Sequence, residues 1–535
     1  MSHPAPAPAD VREPDSVIAR LLDGPPADRL HGWLATILIT VFAFGLRVVN
    51  LGYPKGLVFD ETYYPKDAWT MLHLGYEGTW SETLPGTSTK INDAITQGAS
   101  NGWNASPEFV VHPPLGKWLI AWGEHLFGMN AFGWRFASLV FGSLLVAVTI
   151  RLARRLSRST LVGGIAGLLL SLDGLAFVMS RIGLLDIFQA FFIVAGVACV
   201  AADRDWFRHR LAAHLIRNGQ VDLGGAFGPR LMVRPWRIMA GLMFGLAISV
   251  KWNSMFVLAA MGVMSVLWDV SSRRLAGAGR RSWSALLRDG LPAFVWMVVL
   301  AVPVYIASWT GWLRTQGGWD RNWGTNNPDA WTTRHLGKAL ASLIQYHKDI
   351  YGFHTGDIMH QTHVYSANPW GWLVMYRPIG IDAVNDIKPG VDGCPAGTET
   401  CLRVISGAGT PVLWWMALAA VIAGLVVWVA GRDWRFGLPV VAAASTWLPW
   451  FNYASRPLFF FYAICIIPFT LIVLAMWLGK IIGPADGPHR RRRSWIVGGL
   501  VALVAANFAF IYPILTDGLL TRRAWMARMW FRSWI

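Results

Sequence analysis

Charge is scarce in this chain. Only 15% of its 535 residues are Asp, Glu, Lys or Arg, against about 25% in an ordinary soluble domain. That deficit excludes a plain soluble enzyme and a solvated disordered chain. Cysteine is scarcer still: the 4 present are too few for a disulfide scaffold. There is no H-E-x-x-H or comparable metal-ligand spacing, and no internal repeat of the kind found in inverted-repeat transporters. Apolar residues take the place of the missing charge. They make up 54% of the chain, and Trp reaches 31 copies. Trp prefers the membrane–water boundary, where both its ring and its N–H find partners. The composition predicts an all-α polytopic membrane protein.

Apolar runs close to the ~20 residues needed to span a bilayer recur at 32–50, 133–153, 160–178, 182–202, 236–250, 254–270, 290–309, 411–430, 437–453, 457–479 and 495–515. That is about eleven spans. The net charge of +16 would suggest nucleic acid in a soluble protein. Here it is an orientation signal and implies no nucleic-acid partner. With the N-terminus inside, about 26 basic residues fall on the cytoplasmic segments, as the positive-inside rule demands. Arg151, Arg154, Arg155, Arg273, Arg274, Arg280, Arg281 and Arg490 to Arg493 all share that side. The expected domains are a loose cytoplasmic segment 1–31, a membrane domain 32–515 and an external tail 516–535. The tail is basic and aromatic, and is expected as an amphipathic helix on the outer leaflet. Two long external loops, 51–132 and 310–410, suggest an enzyme working at the outer face. Cys394 and Cys401 lie in the second loop, seven positions apart on the oxidising side, and are expected to form a disulfide.

The first loop opens with Phe59-Asp60-Glu61-Thr62, about ten residues after a span ends. A carboxylate at the membrane surface is placed to act on something dissolved in lipid, and partial burial raises its basicity. Neighbouring acids can point to opposite sides, so the two need not share one role. Next comes His112-Pro-Pro-Leu-Gly-Lys117. Two prolines can start a helix, and the run to Phe127 predicts a short interfacial helix with His112 and Lys117 at headgroup level. Cations Arg47, Arg135, Arg181, Lys251 and Arg456 stand at outer ends of spans, with Asp186 as a structural partner for Arg181. The second loop concentrates His347, His354, His360, His363, Ser366, Trp370 and Arg377. It is expected to close over the site or to position an acceptor.

Glycosyl transfer from a lipid phosphate sugar fits these parts. Its leaving group is already a stable anion, so it needs cations and no general acid. A hydroxyl acceptor needs one general base. A single displacement of that kind inverts the anomeric centre. No cofactor is implied and no metal ligand set is assigned; a divalent ion at the lipid phosphate is compatible with the pattern.

As an ordered set, Phe59-Asp60-Glu61, His112-Pro-Pro-Leu-Gly-Lys117, Phe132-Gly-Trp-Arg135, Arg181-Ile-Gly-Leu-Leu-Asp186, Lys251-Trp252 and His363-Val-Tyr-Ser366 to Arg377-Pro378 resemble the protein O-mannosyltransferases. The resemblance runs from about 32 to 535. It implies the GT-C membrane fold, with a cytoplasmic N-terminus and an external C-terminus. It also implies mannose transfer from polyprenyl-phosphate-mannose to Ser or Thr of secreted proteins, possible association with the translocon, and a plasma-membrane location. On the matching residues, Asp60 would be the base and Glu61 would position the peptide or the site. Arg47 and Arg135 fall where the family depends on arginines. Phosphate contacts are expected from Arg135, Arg181, Lys117, Lys251, Arg47 and His112. Eukaryotic members carry a β-trefoil module in the long external loop. Loop 310–410 shows none, so the chain looks like the shorter bacterial branch, and eukaryotic dimer pairing is not carried over. The rival readings are a GT-C transferase of another polyprenyl-linked sugar, such as arabinose or aminoarabinose, and a transporter or flippase.

Overall fold

The computed structural model describes residues 16–22, 28–397 and 399–535. Each of the eleven apolar stretches carries helix. Among the described residues, seven helices are long and apolar enough to cross a membrane: Arg29–Val48, Ala131–Ser157, Asp186–Arg217, Ser254–Leu275, Gly279–Ser308, Pro411–Val429 and Arg490–Leu515. Thr160–Ser171, Pro235–Ile248 and Ile467–Ile482 are shorter apolar helices, and Trp434–Trp447 is a fourth short one with Pro439 inside it.

Side-chain caps set where these helices begin. Asn130 accepts from the N–H groups of Phe132 and Gly133 at 3.1 and 3.0 Å. This satisfies two of the donors a helix start leaves open. Buried Asp173 caps Gly174–Met179 through Ala176 N at 2.9 Å and also accepts from Trp414 Nε1 at 2.6 Å. One carboxylate thereby joins a helix start to the Pro411–Val429 helix, more than 200 residues further along the chain.

The core is built around Asp186–Arg217, whose Ile187, Phe188, Ile193 and Val197 are buried. It packs against Ala131–Ser157 and Pro235–Ile248. Gly241 lets the latter touch a neighbour backbone to backbone, because a Cβ there would lie 1.9 Å from the Trp296 carbonyl oxygen. At the end of the bundle away from Asp60, Arg234 and Arg237 pair with Asp203 and Asp269 at 2.5 to 3.0 Å. These buried charges neutralise one another, as desolvated ions must.

Two small sheets cover the Asp60 end. Strands β1 (Gly78–Trp80) and β2 (Trp103–Pro107) pair antiparallel. Strands β3 (Ile379–Ile387), β4 (Cys401–Gly407) and β5 (Leu520–Thr521) form an antiparallel sheet in that order. A disulfide joins Cys394 to Cys401, as expected from the sequence, and closes the turn between β3 and β4.

Three local expectations change. In the segment expected to be loose, residues 1–15 and 23–27 lie outside the described residues. Val17–Leu21, however, is helical and buries Ile18 and Leu21 with Phe207 and Leu211. The tail is not one amphipathic helix. It supplies β5, a short helix Arg522–Met526 and a buried Trp534. The indole of Trp534 donates to the Met375 carbonyl at 2.8 Å, which a helix lying on lipid would not allow. The predicted interfacial helix does form, at Leu115–Phe127, but its polarity is inverted. Lys117 and Glu124 are buried, while Trp122, Leu126 and Phe127 are exposed.

Candidate active site

Asp60 and Glu61 sit on a single turn of 3-10 helix, Phe59–Thr62. Phe59 has φ +48°, which costs a non-glycine residue roughly 1–2 kcal/mol. Ring packing offsets that cost: Phe59 lies edge-on to Phe459, Phe461 and His363 at 5.6, 5.8 and 6.0 Å. The turn points the two acids in different directions.

Glu61 is fully buried and fully bonded. Its carboxylate accepts from Arg135 Nε and Nη2 at 2.8 and 2.7 Å, from Gly183 N at 2.7 Å and from Val58 N at 3.0 Å. Arg135 completes its donors on the carbonyls of Leu51, Pro54 and Gly56 at 3.3, 2.8 and 3.1 Å. A guanidinium has five N–H groups, and all five are engaged. Arg135 is therefore a strut for the acid turn with no donor left for a phosphate, which corrects the sequence expectation.

Arg47 and Arg181 are used in a related way. Arg47 donates to the carbonyls of Leu170 and Ser171 at 3.3 and 3.4 Å, and Arg181 to those of Arg47, Val49 and Asn50. These carbonyls end the Thr160–Ser171 and Arg29–Val48 helices, where cations are favoured. Both arginines thus bind helix ends. Lys117 is only 1% exposed and pairs with Glu77 and, at 3.8 Å, with Asp67. Burial pushes the Asp67 carboxyl well up, against the pull of Lys117. Lys117 is an internal ion-pair member and not a headgroup contact.

Asp60 differs from its neighbour. It is half-buried, and no described residue hydrogen-bonds its carboxylate. Burial pushes its pKa up to about 6, with Lys251 pulling it down and Asp186 pushing it up. Lys251 Nζ lies 2.8 Å from both oxygens of Asp186. Asp186 therefore pairs with Lys251 and not with Arg181. Lys251 also sits 5.1 Å from the Tyr462 ring. His112 stacks loosely with Tyr64 and His354 at 6.3 and 5.7 Å. Desolvation holds both histidines down, His112 well below its usual range and His354 at about 4, so both are neutral near pH 7. His354 Nε2 donates to the Val111 carbonyl at 3.0 Å, and its Nδ1 accepts from Arg456 Nη1 at 3.3 Å. The Nε of Arg456 is buried with no hydrogen-bond partner among the described residues.

His363 stands over the Phe59 ring, and Ser366 N donates to the His363 carbonyl at 2.9 Å. Arg377 fastens this segment: it donates to the Val364 carbonyl at 3.1 and 2.7 Å and to the Ser533 carbonyl at 2.9 Å. Trp370 is exposed on the rim, against Phe451. A mostly apolar cavity of about 710 Å³ lies between Ser254–Leu275, Pro411–Val429, Trp434–Trp447 and Ile467–Ile482.

Residues 94–216 match the family described as dolichyl-phosphate-mannose-protein mannosyltransferase. The polyprenol-phosphate-mannose–protein mannosyltransferase of Mycolicibacterium smegmatis is 36% identical over 521 residues, 95% of this chain and 94% of that protein. The chain belongs to this family. The enzyme of the same name from Mycobacterium tuberculosis is 35% identical over 95% of this chain and 93% of its own length. The Saccharomyces cerevisiae protein O-mannosyltransferase Pmt1-Pmt2 complex, solved with its sugar donor, has the same fold. Its TM-score is 0.69 over 97% of this chain and 94% of that one, at 12% identity. The chain is thus a multi-pass membrane protein of the GT-C type, and the match favours neither the aminoarabinose-type rival nor the transporter.

Arg456 is legible in the sequence as one of five outer-end cations that together resemble an anionic headgroup lining, but it is not singled out there as a phosphate contact. The signal was its place between two apolar runs with no acid nearby. Tyr64 and Tyr462 carry no distinguishing sequence signal, because aromatic residues are abundant everywhere in this chain.

Proposed function

We propose that this protein transfers mannose from polyprenyl-phosphate-mannose to Ser or Thr hydroxyls of secreted proteins, with Asp60 as the base. The reading is supported by family membership across nearly the whole chain. On the residues, one contrast carries it: of the two adjacent acids, Glu61 is locked in hydrogen bonds while Asp60 is unbonded and basic. The acceptor oxygen attacks the anomeric carbon as its proton passes to the Asp60 carboxylate. The bond from that carbon to the phosphate oxygen breaks, and its electron pair leaves with polyprenyl phosphate. One displacement inverts the centre. A base whose pKa lies near the working pH is well matched to the step.

The leaving phosphate needs positive charge that is not already committed. Arg456 meets that need through its open Nε; Lys251, already paired with Asp186, adds its charge beside Asp60, whereas Arg135 is fully bonded, Lys117 is buried against Glu77, and Arg47 and Arg181 are tied to helix ends. Neutral His112 and His354 line the approach, and His354 orients Arg456. The apolar cavity beside Trp447 takes the polyprenyl chain. The His363–Arg377 segment positions the peptide. In this reading eleven helices cross the plasma membrane with the N-terminus inside and Asp60 on the outer face, where secreted chains emerge from the translocon.

The test is incubation of purified protein with radiolabelled polyprenyl-phosphate-mannose and a Ser/Thr-rich peptide. Label in the peptide, lost with Asp60→Asn, is the expected result. Label appearing only in lipid or glycan would overturn the assignment.

A further inference from the structure

A second cavity, of about 620 Å³, opens at the other end of the bundle. The Ala131–Ser157 helix runs between the two places. Arg135, near its start, braces the acid turn, and Ser157, at its end, lines this cavity. Twenty-seven residues of helix measure about 40 Å, so the cavity lies at the opposite membrane face from Asp60.

Its rim is cationic. Arg158, Arg435, Lys480 and Arg490 line it, and no Asp or Glu does. Part of this charge is balanced nearby: Arg435 pairs with Asp433 at 2.7 Å, and Arg158 lies 3.8 Å from Asp205. Lys480 and Arg490 are balanced less closely, Lys480 by longer-range attraction to Asp433. Among the described residues neither has a carboxylate within ion-pair reach. Lys480 Nζ rests 5.4 Å from the Phe436 ring, and Arg490 Nη1 donates to the Gly483 carbonyl at 2.7 Å. Arg491, Arg492 and Arg493 follow directly in the chain. The Thr160–Ser171 helix also begins here, with Ser159 as its cap, and its positive end adds to the field.

The inner wall is apolar, with Leu161, Val162 and Met476 below the cations. Charge above and hydrocarbon below is the pattern of a headgroup pocket between membrane helices. Lys480 is exposed and Arg490 half-buried, so both border the solvent side of a half-open groove whose floor is hydrocarbon.

We propose that this cavity binds a phosphate-bearing anion, and that the anion is the headgroup of an acidic phospholipid in the leaflet opposite Asp60. Lys480 and Arg490 take the phosphate, and the acyl chains run along the apolar wall. The site is separate from the transfer chemistry, and its test does not depend on that reading.

Full-length protein in non-ionic detergent would be titrated with phosphatidylglycerol or phosphatidylcholine, and bound lipid counted by native mass spectrometry. Phosphatidylglycerol adducts should exceed phosphatidylcholine adducts by roughly tenfold or more. They should fall by a similar factor in Lys480→Gln/Arg490→Gln. The charge-retaining Lys480→Arg/Arg490→Lys should keep them, and the melting temperature of each variant confirms folding. A second arm adds millimolar inorganic phosphate. Adducts that survive it identify the lipid as occupant, whereas displacement by free phosphate would overturn the lipid source. Equal binding of the two lipids, or unchanged phosphatidylglycerol binding in the glutamine variant, would overturn the site.

Discussion

Glu61 and Arg135 form a buried bidentate pair, with Arg135 Nε and Nη2 at 2.8 and 2.7 Å from the two carboxylate oxygens. The pair fixes the turn that presents Asp60. Removing one partner leaves the other charge buried alone, which typically costs about 3–5 kcal/mol. Arg135→Ala and Glu61→Gln should therefore both reduce the yield of folded protein and lower its melting temperature sharply in detergent. Near-wild-type melting of either variant would contradict the strut role.

Asp60→Asn should behave in the opposite way. Loss of a general base costs about 10²–10⁴ in rate, so transfer to peptide should fall by that range. Stability should not fall. Burial raises the Asp60 pKa from 3.8 to about 6, so the folded state holds this proton more tightly than the unfolded one. Stability from this group is thus lost as pH rises from 3.8 to about 6. A neutral amide removes that penalty, and at pH 7 Asp60→Asn should melt at or above the wild-type temperature.

The same shift sets the pH profile. Asp60 must be ionised to accept a proton, so kcat/KM should fall about tenfold per unit below its pKa, with the acidic limb at about 6. Lys251 pulls that value down and Asp186 pushes it up. Asp186→Asn should move the limb to lower pH, and Lys251→Gln to higher pH. Limbs that move together, or not at all, would separate Asp60 from the titration.

The sequence already carried the membrane class, the helical stretches, the disulfide and the acid pair, because each rests on local composition or spacing. The use of each cation was not legible in the same way. Arg47, Arg135, Arg181 and Lys117 looked like a phosphate lining because an ionisable residue in an apolar chain needs a partner, and a ligand is one candidate. The structure supplies other partners: helix-end carbonyls 123 and 124 positions away from Arg47, and Glu61 74 positions away from Arg135. Pairings across such separations leave no trace in spacing. The tail escaped for the same reason, since only the fold brings Ser533 and Trp534 against Arg377 and Met375.

The Cys394–Cys401 bridge closes a seven-position span between β3 and β4. By loop-entropy arguments a closure this short contributes about 2–3 kcal/mol. Cys394→Ser/Cys401→Ser, or added reductant, should loosen the outer sheet, including β5 of the tail. The check is limited proteolysis. Cleavage should appear first within 388–400 and 516–535, while the helical bundle stays intact.

Trp534 and Arg377 together tie the tail to the segment that begins at His363. The indole holds the Met375 carbonyl at 2.8 Å, and Arg377 spans from Val364 to Ser533. Met375 is buried at φ +56°, a conformation that needs such support. Trp534→Ala opens a gap under the segment and removes that hydrogen bond, whereas Trp534→Phe keeps most of the packing. If this segment positions the peptide, KM for the acceptor should rise several-fold in the alanine variant and less in the phenylalanine variant. KM for the lipid-linked donor should change less, because Leu373 alone of this segment lines the apolar cavity, and Arg456 and Lys251 lie outside it. A general loss of stability would instead lower kcat for every substrate pair without favouring one KM. Steady-state kinetics with donor and acceptor varied separately distinguishes the two outcomes. Equal changes in both constants would reduce the tail to a structural strap.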